Sequence, residues 1–310
     1  MAPRPIIIDS DPGQDDCFAL LLALASPELE LLGITAVAGN VGVELTAKNA
    51  LRICEIARRT DIKVFRGADR PLLRPLRTAH EIHGKTGLDG ADLPEPRMKL
   101  QRGHAVDWMV ETLMTRPDRG TTLVAIGPLT NVALALRREP GIVGKLAELV
   151  IMGGASRAGG NVTPAAEFNI HVDPHAADIV LRCGAPIALM PLDVTHHVLA
   201  TRARRERIRA LGTPAAATVT ALLDFYAERE KLGAEGVPLH DPCTIAYLLD
   251  PTLFRGERIH VAVELAGEHT QGMTVMDWRG RTGQPANCLV FREADDERFF
   301  ALLTERLGRL

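Results

Sequence analysis

Short β-branched runs alternate with stretches of helical spacing along most of the chain. Pro5-Ile6-Ile7-Ile8 is uniformly apolar, the mark of a strand buried on both faces. Residues 9–14 interrupt it, and the spacing then predicts a helix over 15–26. A second apolar run with a β-branched centre predicts a strand over 30–38. Leu45, Ala50, Ile53, Ile56 and Ala57 recur near the helical period, so 43–59 is expected to be helical. Further strands are predicted over 121–126, 146–152 and 187–190, with helices over 129–138 and 174–183. Strand, helix and strand in series predict an α/β fold, a mostly parallel sheet with helices on both faces. The stretch 66–102, rich in Pro, Arg and Gly, is poorly periodic, and a loop of that length is usually functional or mobile. A charged helical stretch over 202–232 suits a lid or a helical subregion on the core. Strands with turns at Ala266-Gly267 and Arg279-Gly280 fill 258–292, and a last helix is expected over about 295–307. There is no internal repeat and no low-complexity tract, so 1–310 reads as a single domain.

Composition narrows the field. Hydrophobic residues make up 46% and charged residues 24%, which excludes wholesale disorder. A net charge of −3 gives no electrostatic reason to expect nucleic-acid binding. The five cysteines are scattered, odd in number and form no C-x-x-C pair, as in a reduced intracellular protein. The longest apolar run, 17–25, is too short to cross a bilayer. No basic and apolar leader precedes the first strand, so the expectation is a cytoplasmic protein with no membrane or nucleic-acid partner.

Candidate chemistry concentrates in three places. The sharpest is Asp9-Ser10-Asp11-Pro12-Gly13-Gln14-Asp15-Asp16, with four carboxylates in eight residues directly after a buried strand. Ligands of open α/β sheets sit beyond the carboxyl ends of strands. The helix dipole offsets only about 0.3–1 kcal/mol per acidic group, so crowded carboxylates call for a hard, oxygen-seeking cation such as Ca²⁺ or Mg²⁺. The competing reading is an N-cap and a solvated acidic turn. The second place is His240-Asp241-Pro242, which by itself reads first as a helix start with Pro at its first position. Asp241 would add an oxygen ligand if the fold brought it to the first cluster, and His240 could donate a proton. The third is Asn161, Glu167 and Asn169, amides and a carboxylate suited to sugar hydroxyls, against a reading as turn-forming Asn residues. Other patterns fall short. His80-Glu81-Ile82-His83 misses the H-E-x-x-H spacing, His196-His197 reads as structural or exposed, and neither G-x-G-x-x-G nor a P-loop occurs.

The acidic run resembles the D-x-D-P-G-x-D-D signature of the nucleoside hydrolases, the inosine-uridine-preferring family. Val37-Ala38-Gly39-Asn40, His83-Gly84-Lys85-Thr86-Gly87-Leu88, Ile126 to Asn131, Met152-Gly153-Gly154, Ala166-Glu167-Phe168-Asn169, His240-Asp241-Pro242 and Val275 to Arg281 resemble further blocks of that family in its order, over essentially the whole chain. The resemblance implies a Rossmann-like core with extra helices and C-terminal strands, a tightly bound Ca²⁺, and hydrolysis of the N-glycosidic bond of purine or pyrimidine ribonucleosides to base and ribose. It implies Asp11, Asp16, Asp241 and the Ile126 carbonyl as metal ligands, with Asp11 as general base on a water held by the metal. Asp15, Asn40, Asn161, Glu167 and Asn169 would hold the ribose hydroxyls, with Met152 lining that pocket. His83, Phe168 and His240 would surround the base, and His240 would protonate the leaving group. The resemblance further implies a homo-oligomer, a dimer or tetramer. Base preference is expected to lie in the loops 75–90 and 220–238; Arg229 and Glu230 are lid candidates, with a solvated helix face the favoured reading. Two alternatives stand beside this reading: a metal-dependent phosphatase, from Asp9-x-Asp11 after a first strand, and a ribose or nucleoside binder without turnover.

Overall fold

The computed structural model describes residues 2–229 and 236–310. Its strands are β1 (Arg4–Ser10), β2 (Leu29–Ala36), β3 (Val64–Arg66), β4 (Thr121–Ala125), β5 (Leu146–Met152), β6 (Ile187–Met190), β7 (Leu199–Ala200), β8 (Val237–Pro238), β9 (Phe254–Ile259), β10 (Val261–Val263), β11 (Thr274–Met276) and β12 (Cys288–Ala294). Among the described residues, eight of them form one sheet in the order β3-β2-β1-β4-β5-β6-β12-β9. All its pairings are parallel except β12 with β9 at the edge. Two short ribbons, β7 with β8 and β10 with β11, are antiparallel.

The isoleucine run of β1 explains why the strand is central. Ile6 and Ile8 pack into the apolar layer on one side of the sheet, and Ile7 packs into the layer on the other. Successive strand side chains face opposite ways, so a run with no polar member fits only a strand covered on both faces. Each such burial contributes about 1.5–3 kcal/mol. The helices Gln14–Leu24, Val43–Ile56, Pro214–Arg229, Pro242–Leu249 and Asp296–Leu307 supply one layer. Ala105–Thr115, Thr130–Arg138 and Pro174–Leu181 supply the other.

Strand order reverses at β1. From β1 the chain first builds outward through β2 and β3, then returns to add β4, β5 and β6 on the other side. Ligand crevices of doubly wound sheets open beyond the carboxyl ends of the strands at such a switch point. Asp9 lies opposite Thr35 of β2 and Ala125 of β4 in register, so the acidic turn after β1 and Ile126 after β4 emerge side by side there.

Two expectations change in detail. The helical stretch expected over 202–232 divides into Arg202–Arg209 and Pro214–Arg229. Gly212 takes a φ of 67° between them, and the Thr213 hydroxyl accepts from Ala216 N–H to open the second helix. Val219, Leu222 and Leu223 bury this second helix in the core, so it is a helical subregion of the fold. Its expected end, with the lid candidate Glu230, lies outside the described residues. The long stretch 66–102 contains the short helix His80–His83. Among the described residues no helix is long and apolar enough to cross a membrane.

Candidate active site

The acidic turn owes its shape to its own backbone. Asp16, three residues into the turn that starts the helix Gln14–Leu24, reaches back with Oδ2 to accept from Gly13 N–H at 3.0 Å. Its Oδ1 accepts from the Ser10 hydroxyl at 2.6 Å and from Asp11 N–H at 3.2 Å. Asn40, just past β2, ties the turn to its neighbour strand. Its N–H donates to Asp11 Oδ2 at 2.7 Å, and its side-chain NH₂ donates to Asp16 Oδ2 and the Asp11 carbonyl, both at 3.1 Å. Glycines let these backbones approach. A Cβ on Gly127 would stand 2.6 Å from Asp11 Oδ1, and one on Gly39 would overlap Asp11 Oδ2.

The far end of the chain closes on this turn. Asp15 Oδ2 accepts from the backbone N–H groups of His240 and Asp241, at 2.9 and 2.8 Å. That contact joins residues 225 positions apart and sets the start of the helix Pro242–Leu249 against the acidic turn. Asp241 is thereby brought to the same cavity as Asp11, Asp15 and Asp16.

The third group comes from the loop after β5. Glu167 caps the helix Phe168–Val172 by accepting from Asn169 N–H at 2.8 Å and Ile170 N–H at 3.2 Å. It also accepts from Gly154 N–H at 2.9 Å, fixing the turn after β5. The Asn169 NH₂ donates to the Ile126 and Met152 carbonyls, at 3.1 and 3.2 Å, and Asn161 Oδ1 accepts from Phe168 N–H at 3.0 Å.

The thirteen residues assigned to the site from the sequence line one cavity of about 610 Å³: Asp11, Asp15, Asp16, Asn40, His83, Ile126, Met152, Asn161, Glu167, Phe168, Asn169, His240 and Asp241. That volume is in the range of small-molecule sites. The cavity has a carboxylate floor, a wall of amides and Glu167, and a wall of rings. His83 stacks near Tyr226 with centroids 6.2 Å apart, and His196 tilts against His240 at 5.7 Å. His83 also contacts the side chain of Gln14, whose NH₂ donates to the His83 and Asp89 carbonyls. Gln14 stood in the acidic run without a role, and Tyr226 and Arg77 had no local signal in the sequence. His196, read there as structural or exposed, lines the cavity together with Tyr226 and Arg77.

Burial dominates the electrostatics. It pushes Asp9 up to about 7, Asp15 up to about 8 and Glu167 up to about 7, against hydrogen bonds that pull each of them down. Asp11 and Asp241 are raised well above the ordinary carboxylate range, by burial and then by neighbouring carboxylates. The same desolvation lowers His83 to about 4 and His240 to about 3. Asp11 Oδ1 and Asp15 Oδ1 are buried with no hydrogen-bond partner. Buried anions without partners are costly, and an all-oxygen donor set suits a hard divalent cation. The residues therefore fit such an ion. Among the described residues no group of three or more His, Cys, Asp or Glu side chains is itself closed into a metal cage. Asp11, Asp16, Asp241 and Ile126 instead converge around one cavity.

A doubly wound sheet with an acidic turn at its switch point and a polar, ring-walled cavity above it is the arrangement expected of a nucleoside hydrolase. The chain belongs to the inosine-uridine preferring nucleoside hydrolase family, whose model matches residues 6–301. It is 52% identical over 308 residues to the pyrimidine-specific ribonucleoside hydrolase RihA of Enterobacter sp. (strain 638), covering 98% of each chain. Among solved structures it is similar to a purine-preferring ribonucleoside hydrolase from Gardnerella vaginalis, with a TM-score of 0.92, 33% identity and 98% of each chain covered. A plant nucleoside hydrolase, PpNRh1, superposes with a TM-score of 0.90 at 34% identity over 99% of each chain. The chain is an enzyme that hydrolyses ribonucleosides, and the phosphatase alternative is set aside.

Proposed function

We propose that this enzyme is a Ca²⁺-dependent hydrolase of the N-glycosidic bond of ribonucleosides, with pyrimidine ribonucleosides as its main substrates. The observation that carries the reading is the Asp15 contact to His240 and Asp241, which joins the acidic turn and the His240-Asp241-Pro242 segment at one cavity. The identity of 52% to a pyrimidine-specific relative supports the choice of base.

Asp11, Asp16, Asp241 and the Ile126 carbonyl would hold Ca²⁺, which when bound supplies a hard centre that orders water and the vicinal ribose hydroxyls. The chain supplies the rest. Asp11 takes a proton from the attacking water as general base. Asp15, Asn40, Asn161, Glu167 and Asn169 hold the ribose hydroxyls, and Met152 packs beside them. Their combined negative potential favours the oxocarbenium-like transition state. His83 and Phe168 flank the base, and His240 is the acid group that offers its ring N–H to the departing base nitrogen, which takes the electron pair of the broken bond.

A reducing-sugar assay over ribonucleosides and 2′-deoxyribonucleosides, with and without chelator, tests this. Ribose release from uridine and cytidine is expected. It should fall sharply on the deoxy substrates, stop with chelator and return with Ca²⁺. Full activity after exhaustive chelation would remove the metal from the proposal, and faster turnover of purine nucleosides would remove the base preference.

A further inference from the structure

Thr195 ends the helix Leu192–Thr195, and its hydroxyl lies 2.7 Å from Nδ1 of His240. Thr195 is fully buried. A buried hydroxyl hydrogen left without an acceptor is costly. Among the described residues, Nδ1 of His240 is the hydrogen-bond partner of this hydroxyl, and no other is found. The hydroxyl therefore donates to Nδ1. A neutral imidazole carries one proton, so a ring that accepts at Nδ1 bears it on Nε2. Nδ1 and Nε2 lie on opposite edges of the ring. With Nδ1 held against the helix Leu192–Thr195, Nε2 is the nitrogen left for the cavity that His240 lines. His196 touches the ring at a 59° tilt, a contact between faces and edges that leaves the Thr195 bond to choose the tautomer.

We propose that Thr195 is a positioning residue for cleavage: by donating to Nδ1 it keeps the N–H of the neutral His240 ring on Nε2, facing the base, where it meets the charge building on the departing nitrogen with a hydrogen bond. This rests on the reading of His240 as the donor to the leaving group. A backbone carbonyl in place of Thr195 would accept from Nδ1–H and leave Nε2 bare, unable to meet charge on a departing base. The identity of the residue at 195 thus decides whether the ring offers the base a donor or a lone pair.

The test uses the Ca²⁺-loaded protein with ¹⁵N-labelled histidine. The His240 signals are assigned by their disappearance in His240→Gln. The wild type is expected to show the Nε2–H tautomer. Thr195→Val keeps the shape and removes the hydroxyl, so kcat on ribonucleosides should fall about 10- to 100-fold, as when an orienting partner of a functional His is lost. KM should change little, and the rate on a nitrophenyl riboside, whose leaving group needs no proton, should hold. Thr195→Ser should restore both tautomer and rate. An Nδ1–H tautomer in the wild type overturns the inference, as does a Val variant with wild-type kcat. Equal losses on both substrates with a lowered Tm also overturn it, because they mark a purely structural role. Should Thr195→Val not fold, the wild-type spectrum and the Ser variant still decide. If His240→Gln retains full activity on ribonucleosides, the donor reading of His240 falls, while the tautomer measurement stands or falls separately.

Discussion

Asp15 has two oxygens with different work, and two substitutions separate them. Oδ2 accepts from two buried backbone N–H groups, those of His240 and Asp241. Oδ1 is buried without a partner in the protein, and in the proposed function it is the oxygen offered to a ribose hydroxyl. Asp15→Ala strands both N–H groups at about 1–3 kcal/mol each, or about 2–6 kcal/mol together. Relief of repulsion among the carboxylates offsets part of this. Against a typical total of about 5–15 kcal/mol, that is a large loss. At about 2–4 °C per kcal/mol, Tm should fall on the order of 10 °C. Asp15→Asn keeps an acceptor for the two N–H groups and removes the cost of burying or neutralising a carboxyl group among other carboxylates, so its Tm should match or exceed the wild type in the absence of Ca²⁺. Its amide NH₂ replaces the acceptor that would face the ribose. Losing a charged hydrogen bond costs about 1.5–3 kcal/mol, which predicts a drop in kcat/KM of roughly 10- to 150-fold. Differential scanning calorimetry and the reducing-sugar assay measure the two effects. An Asn variant with wild-type kcat/KM would refute the ribose role, and an Ala variant with unchanged Tm would refute the structural one.

Three further outcomes are expected. His240→Ala should lower turnover of natural nucleosides at least about 100-fold, the lower end of what a placed acid contributes, and spare a nitrophenyl riboside; equal losses in a steady-state comparison would remove the acid role. Gly127→Ala drives a methyl to 2.6 Å from Asp11 Oδ1, so Ca²⁺ affinity by calorimetric titration and activity should fall together, and a variant that binds Ca²⁺ normally would contradict the crowding argument. The buried Arg306 forks onto Glu28 at 2.9 and 2.7 Å, and this hydrogen bonding holds the Glu28 carboxyl below its usual range. A lowered folded value contributes stability above the unfolded pKa, and that stability is lost as pH falls through the folded one. Arg306→Gln should therefore lower Tm at pH 7 by an amount that shrinks below about pH 4, with the size reduced by the exposure of Glu28. A deficit independent of pH would show that the fork acts through packing alone.

What the chain disclosed on its own was local. β5 and β6 fall on the predicted 146–152 and 187–190 because short, largely apolar runs, broken only by Glu148, suit strands covered on both faces of such a sheet. The acidic turn was legible because its four carboxylates share one short segment. The break at Gly212-Thr213-Pro214 was missed because the helical spacing of 202–232 outweighed a single Gly and a cap. Tyr226 and His196 were passed over for a related reason. Tyr226 sits on a helix and His196 on the turn that ends one, and only the packing of those elements over the sheet turns them into a wall.

His240-Asp241-Pro242 shows the division most clearly. As letters it is a helix start, and the structure confirms that it is one, with Pro242 at the first position of the helix. Its meeting with Asp15 depends on the placing of β1 at the centre of the sheet and on the packing of the helix Pro242–Leu249 against the helix Gln14–Leu24. Periodicity reports the near neighbours of a residue. Contacts between positions more than two hundred apart are chosen by burial of whole helices and strands, and that choice is made only when the chain has folded.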